Sequence, residues 1–127
     1  MSPVIDLVIR IKNGYMARKE TIEASYSKFG EAVLNKLQKL GFVKRYTVEG
    51  DVIKTITIDL AYEDGEPAMM DVRIISKPGQ RIYTGSKDLK PVMSGLGYGI
   101  VSTPQGIMTN IEAKKKNAGG ELLFYIW

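Results

Sequence analysis

Tyr98-Gly99-Ile100-Val101-Ser102-Thr103-Pro104-Gln105-Gly106-Ile107-Met108-Thr109-Asn110-Ile111-Glu112 passes through three kinds of local sequence in one short run. Tyr98 to Val101 is apolar and strand-like. Ser102 to Thr109 is rich in hydroxyls and holds Pro104 and Gly106, the composition of a loop. Thr109 to Glu112 fits a capping box, with a hydroxyl at the N-cap and a carboxylate three residues later. The spacing predicts a strand that delivers a small polar loop to the start of a helix, where free backbone N–H groups suit a phosphate. Beyond that helix stand Gly119-Gly120-Glu121 and a second apolar strand, Leu122 to Trp127. A loop of donors between basic segments fits a polyanion.

Toward the N-terminus, Gly95-Leu96-Gly97-Tyr98-Gly99 resembles part of a dinucleotide fingerprint. Its spacing is wrong and its context is helix-to-strand, so turns and close packing explain it better. Ser86 to Met93 is expected to be one helical stretch, kept short by Pro91. Arg81 to Thr84 is a short strand carrying the aromatic Tyr83. Ser76-Lys77-Pro78-Gly79-Gln80 breaks the pattern, and the expected domain boundary falls there: an N-terminal domain over 1–76 and a C-terminal domain over 77–127. Lys114-Lys115-Lys116 falls in the last turn of the capped helix. Cations there suit the helix dipole, so the run is not counted as a specific contact.

In the N-terminal part, Ser2-Pro3 reads as an N-cap followed by Pro at the first helical position. Val4, Leu7, Val8 and Ile11 recur at helical spacing, and the helix is expected to end between residues 13 and 18. Arg10 and Lys12 lie off the apolar stripe and, on these residues alone, read as its wet face. Thr21 to Tyr26 alternates like a strand. Ser27 is placed to cap a second helix with Phe29, Val33, Leu37 and Leu40 as its apolar stripe, and Gly41 sits where such a helix stops. Phe42 to Val48, Val52 to Leu60 and Met69 to Ile75 read as a three-strand meander with turns at Glu49-Gly50-Asp51 and Glu63-Asp64-Gly65-Glu66-Pro67. The expected fold class is α+β: helix, strand, helix and an antiparallel meander, joined to a small C-terminal α/β domain.

Composition narrows function by exclusion. Among 127 residues there is no Cys and no His. Disulfides, Cys or His zinc sites and Ser–His or Cys–His catalysis are therefore excluded. The acids of the meander match no calcium loop, and turn solubility accounts for them. The expectation is a protein without catalytic residues, metal or cofactor. No apolar window approaches the length of a membrane span and no leader pattern is seen, so a cytoplasmic location with no membrane partner is expected. The net charge of +4 is unevenly spread. Residues 1–45 carry net +5, residues 46–76 net −5 and residues 77–127 net +4. The pattern is either ordinary solvated surface or a polarised molecule, with nucleic acid on its basic surfaces and water or a basic protein on the acidic one.

The run Ser102-Thr103-Pro104-Gln105-Gly106-Ile107-Met108-Thr109-Asn110-Ile111-Glu112-Ala113, followed by Gly119-Gly120-Glu121 and an aromatic end, closely resembles the signature of the bacterial small-subunit ribosomal protein eight family. Pro3, Asp6, Arg10-Ile11-Lys12-Asn13, Ile75-Ser76-Lys77-Pro78-Gly79, Arg81-Ile82-Tyr83 and Gly95-Leu96-Gly97 extend the likeness over nearly the whole chain. Two positions depart from the pattern: Ser25 stands where the family usually has Pro, and Pro104 where it has Ser.

The resemblance implies a structural protein of the small ribosomal subunit with no small-molecule substrate. It implies binding to the central domain of 16S ribosomal RNA, a part in 30S assembly, and neighbouring small-subunit proteins as partners. By resemblance, the RNA-binding candidates are Ser102, Thr103, Pro104, Gln105, Gly106, Gly119, Gly120, Glu121 and Tyr83, with Arg10, Lys12 and Asn13 of the first helix. Small hydroxyls and bare backbone can enter the shallow minor groove of an RNA duplex where Arg would be too long. Glu121 also has a plainer reading, as an acceptor that holds two loops together. Pro104 lacks both the hydroxyl and the N–H of the family's Ser, which reaches an unpaired base. Two other readings stand beside this one: a protein–protein adaptor with a basic surface, and a translational repressor bound to its own messenger RNA.

Overall fold

Ser2 starts the first helix by accepting a hydrogen bond at its hydroxyl from Val4 N, 3.2 Å, with Pro3 at the first helical position. The computed structural model describes residues 2–127, which divide into two compact units, one ending at Met70 and one beginning at Asp71. Helix α1 (Pro3–Met16) buries Val4, Leu7, Val8, Ile11 and Tyr15 on one face. Full burial of each large apolar side chain stabilises by roughly 1.5–3 kcal/mol. Asn13-Gly14 does not stop the helix. A Cβ at Gly14 would stand 2.7 Å from Cγ2 of Ile22, so the glycine lets the next strand lie close. The Tyr15 hydroxyl donates to Phe42 O at 2.6 Å and accepts from Ala61 N at 3.1 Å. Burial pushes its pKa up.

Strand β1 (Thr21–Ser25) leads to helix α2 (Lys28–Lys39), capped by Ser27, whose hydroxyl accepts from Gly30 N at 2.9 Å. Gly41 takes φ +87°, and Phe42 N donates to Leu37 O at 3.0 Å, which closes the helix in a Schellman turn. Val33, Leu34 and Leu37 are buried, whereas Phe29, expected in the stripe, is 43% exposed in the first turn. Strands β2 (Arg45–Glu49) and β3 (Thr55–Asp59) complete an antiparallel sheet in the order β1-β3-β2. Ile56 and Ile58 are fully buried on the central strand. A small hairpin, β4 (Tyr62–Glu63) and β5 (Glu66–Pro67), turns through Asp64 and Gly65, both at positive φ. That is the turn which matches strand twist in two-residue loops.

The expected three-strand meander is corrected here. Its third strand, β6 (Val72–Ile74), pairs with the C-terminal strand β10 (Gly120–Ile126) in the second unit. The third strand of the first sheet is β1. Alternation along a strand tells which face is buried but not which strand lies alongside. The units divide six residues before the boundary expected from the Lys77-Pro78-Gly79 break.

The second unit adds β7 (Tyr83–Thr84), β8 (Tyr98–Thr103), β9 (Gly106–Thr109) and helix α3 (Asn110–Lys115). Strand β10 pairs with β8 along one edge and with β6 and β7 along the other, and β9 pairs with β8, all antiparallel. The register shifts between Leu122 and Phe124, leaving Leu123 as a bulge whose carbonyl accepts from Ile75 N and Ser76 N. Leu89, Val101, Met108, Ala113, Ala118 and Leu122 form the core of this unit. The single helical stretch expected over 86–93 is instead two 3-10 turns, Ser86–Asp88 and Met93–Gly95. Pro91 between them has no N–H to donate and disfavours helical backbone at Lys90.

Asp59 ties the three strands of the first sheet together. It stands opposite both Thr21 and Arg45, accepting from Arg45 Nε at 2.6 Å and Thr21 Oγ1 at 3.1 Å. These donors hold its carboxyl below the ordinary value. Folding then favours the carboxylate: the stabilisation is present above the unfolded pKa and is lost as pH falls through the folded one. Asp59→Asn should lower the melting temperature at about pH 7, and the gap to the parent chain should close as pH falls well below about 4, the ordinary carboxylate value. Thermal denaturation followed by circular dichroism across that range checks it; an unchanged gap would remove the Arg45–Asp59 pair as the cause.

Candidate functional site

The stretch Ser102 to Thr109 is a hairpin, not an open loop. Ser102 pairs with Ile107 and Thr103 with Gly106, leaving Pro104 and Gln105 as the turn. Pro fixes the φ that a first turn residue needs. Gly106, directly after the turn, takes φ +117°, a value L side chains rarely adopt. Pro104, Gln105 and Gly106 are all exposed. The correction to the sequence reading has a local cause: the four residues Gly106 to Thr109 form a strand only because β8 is there to pair with them.

The hairpin's hydroxyls divide by burial. Thr103 is 8% exposed, and its hydroxyl accepts from Gln105 N at 3.1 Å and donates to Gly106 O at 2.8 Å. It holds the turn shut. Thr109 is 3% exposed and completes the capping box: Glu112 N donates to its hydroxyl at 3.1 Å, and Thr109 N donates to Glu112 Oε1 at 3.0 Å. Helix α3 has only six residues, and the box uses the donors that the sequence reading offered to a phosphate. Ser102 is half-buried, and its hydroxyl makes no hydrogen bond among the described residues.

Pairing sets Ser102 in a row. Glu121 lies opposite Ser102 on β8 and opposite Tyr83 on β7, and Ser102 lies opposite Ile107 on β9. Residues directly opposite in antiparallel strands share a face, so Tyr83, Glu121, Ser102 and Ile107 run across one face of the sheet. Tyr83 is 71% exposed. Glu121 accepts from the Ser76 hydroxyl and from Arg81 Nη1, the latter at 3.1 Å, and Ser76 Oγ in turn accepts from Ile82 N at 3.2 Å. Glu121 therefore fastens the 76–82 segment beside the row. The buried Ser76 and the half-exposed Arg81 were missed as parts of this arrangement. No local signal links Ser76 to a carboxylate 45 residues away.

Gly119 and Gly120 meet the protein's own backbone. A Cβ at Gly119 would stand 2.7 Å from Thr84 O, and one at Gly120 2.1 Å from Ser102 O. Asn110, also missed, is 4% exposed; its Oδ1 accepts from Gly99 N at 3.1 Å and its Nδ2 donates to Lys90 O at 2.9 Å. The structure thus brings Tyr83, Glu121, Ser102 and the hairpin tip together, with the two glycines beneath them. Arg10, Lys12 and Asn13 belong to α1 of the other unit. Arg10 and Asn13 are exposed, and Arg10 Nε pairs with Asp6 Oδ2 at 2.8 Å. Among the described residues there is no cluster of acids that could hold a metal ion, and no helix is long and apolar enough to cross a membrane.

Comparison with known proteins gives a consistent relationship. The sequence model of the family Ribosomal protein S8 matches residues 2–127. The Small ribosomal subunit protein uS8 of Rhizorhabdus wittichii is 44% identical over 122 residues, covering 95% of this chain and 93% of that protein. The protein of the same name from Dictyoglomus thermophilum is 40% identical over 126 residues, covering 98% and 96%. That from Mesoplasma florum is 40% identical over 124 residues, with the same coverage.

The Thr103 hydroxyl has a structural duty that can be separated from any contact. Thr103→Val keeps the shape and removes both turn bonds, and should cost about 0.5–1.5 kcal/mol for each bond. Thr103→Ser should keep most of the stability. Urea denaturation of both variants checks this, and equal stability of Thr103→Val and the parent chain would free the hydroxyl from its assigned role.

Proposed function

The chain belongs to the ribosomal protein S8 family, and from that premise we propose that the face carrying Tyr83, Ser102 and the Pro104–Gly106 hairpin tip binds the central domain of 16S ribosomal RNA. The family's members are structural constituents of the small ribosomal subunit. This chain is accordingly a ribosomal RNA-binding, non-enzymatic component of the cytoplasmic ribosome, with ribosomal RNA and other small-subunit proteins as its partners. The proposal concerns which RNA and which residues: binding to the central domain early in 30S assembly, through that face.

The observation that carries the reading is the free hydroxyl of Ser102 beside an exposed, rigid hairpin tip. An RNA minor groove offers 2′-hydroxyls and base edges to a small polar group that can approach closely. Ser102 supplies one donor and acceptor there, and the exposed Gln105 supplies more. Tyr83 offers a ring for stacking on an unpaired base. Pro104 offers an apolar ring against base or sugar. Gly119, Gly120 and Glu121 serve by shaping the face, since their contacts are to protein. Arg10, Lys12 and Asn13 are assigned to the phosphate backbone, where contacts set position and carry no sequence information.

Ser102→Ala should leave the fold intact and weaken binding to the specific RNA by about 0.5–1.5 kcal/mol, the worth of one hydrogen bond. Arg10→Ala should weaken binding to the specific RNA and to an unrelated duplex alike, and reduce the log–log salt slope by about 1. Filter binding at several salt concentrations reads both. A Ser102→Ala protein with undiminished discrimination between the two RNAs would move the site elsewhere.

A further inference from the structure

We infer that the groove between helix α3 and the Leu89–Gly97 segment is a docking site for an acidic, apolar-bearing segment of a neighbouring small-subunit protein; this rests on the ribosomal reading above. The groove has a volume of about 420 Å³. Its floor is Leu89 and Val92, both buried, and Ile111 forms one wall at 56% exposure. Lys90, Lys114 and Lys115 stand around it, and no carboxylate lines it. Lys90 and Lys115 have no acidic partner among the described residues.

Two features separate this groove from ordinary surface. Met93, Ser94 and Gly95 hold consecutive positive φ values of 49°, 55° and 92°, two of them on residues with side chains. The segment is locked in that conformation because Gly95 N and Gly97 N both donate to Val92 O at 3.0 Å. Strained backbone persists where surrounding structure enforces it, and such sites gather at binding surfaces. The same turn leaves Met93 52% and Leu96 82% exposed beside the groove, next to the exposed Ile111. Clustered exposed apolar groups with a charged rim mark protein contacts.

The chemistry favours protein over RNA as the occupant. An RNA surface is polar and carries phosphates, and contact with it would leave Val92, Ile111 and Leu96 facing polar groups. An acidic segment with apolar side chains satisfies both parts: its apolar groups cover the floor and its carboxylates meet the ring of ammonium groups.

The test uses assembled subunits. A photoreactive p-benzoylphenylalanine replaces Ile111 in one full-length chain and Gln105 in another. Small subunits containing each are purified, irradiated and digested, and the cross-linked products are identified by mass spectrometry. The probe at 111 should join a ribosomal-protein peptide that is rich in Asp and Glu and carries Leu, Ile or Phe. Its yield should fall by roughly ten-fold when Lys90→Glu and Lys115→Glu are added, since like charges are then juxtaposed, and hold with Lys90→Arg and Lys115→Arg. Cross-links to RNA, cross-links to a basic or purely polar peptide, no cross-link, or a yield indifferent to charge reversal would each overturn the inference. The probe at 105 separates the two readings: if it reaches RNA in particles where the probe at 111 fails, the RNA face stands and the groove does not. If the chain with the probe at 105 is absent from the particles or finds no RNA, the ribosomal reading fails and the groove's assignment falls with it.

Discussion

A Cβ at Gly120 would stand 2.1 Å from the carbonyl oxygen of Ser102, a separation no side chain can tolerate. The bare backbone there lets β10 lie against β8 with Glu121 opposite Ser102 and, on its other edge, opposite Tyr83. Everything proposed for the exposed face follows from that register. A slip of one residue would carry Glu121 to the opposite face and break its bonds to Ser76 and Arg81. The bulge at Leu123 then shifts the pairing, so that Leu122 packs in the core with Val101 while Phe124 comes opposite Ile100. One strand thus serves the polar row at its start and apolar packing along the rest.

The hydroxyls of the hairpin show how burial sorts structural groups from available ones. A buried polar group left without a partner is costly, so buried hydroxyls find partners inside the protein. Thr103 and Thr109 are buried and each makes two bonds or completes a reciprocal cap. Ser102, half exposed on the row, is the hydroxyl left over. The same logic applies to Glu121. Its carboxylate already meets a hydroxyl and a guanidinium, so aiming it at a phosphate-rich partner would add repulsion and lose those bonds.

What the sequence revealed was local. Ser2-Pro3, Ser27, Gly41 and the Thr109–Glu112 box announce helix ends through bonds spanning a few residues, and each does so in the structure. Asp64-Gly65 likewise turns a hairpin. What stayed hidden depends on distant pairing. Val72–Ile74 looks like a neighbour of the preceding strands until β10 is folded beside it. Gly106–Thr109 looks like loop until β8 offers its edge. Gly119 and Gly120 suggest close approach correctly, but sequence does not say that the approaching atoms belong to Thr84 and Ser102. The family resemblance named a set of residues; only the fold separates those that shape the face from those that present it.

Pro104 shows what that separation means for recognition. It is the first of two turn residues, between paired Thr103 and Gly106. The ladder bonds belong to those flanking residues, so Pro costs no pairing in a position where its fixed φ is already required. A Ser there, as in the family signature, would carry a hydroxyl on a looser turn. With Pro the turn is stiffer and the hydroxyl is gone, while the Thr103 clamp already restrains Gln105 N. Stiffening lowers the entropy lost on binding, and the missing hydroxyl removes one polar contact. On the proposed reading the polar reach of the tip therefore passes to its exposed neighbour Gln105 and to Ser102 on the row, and the tip itself contributes shape: an apolar ring and, at Gly106, open backbone with nothing within 4 Å of where a Cβ would be.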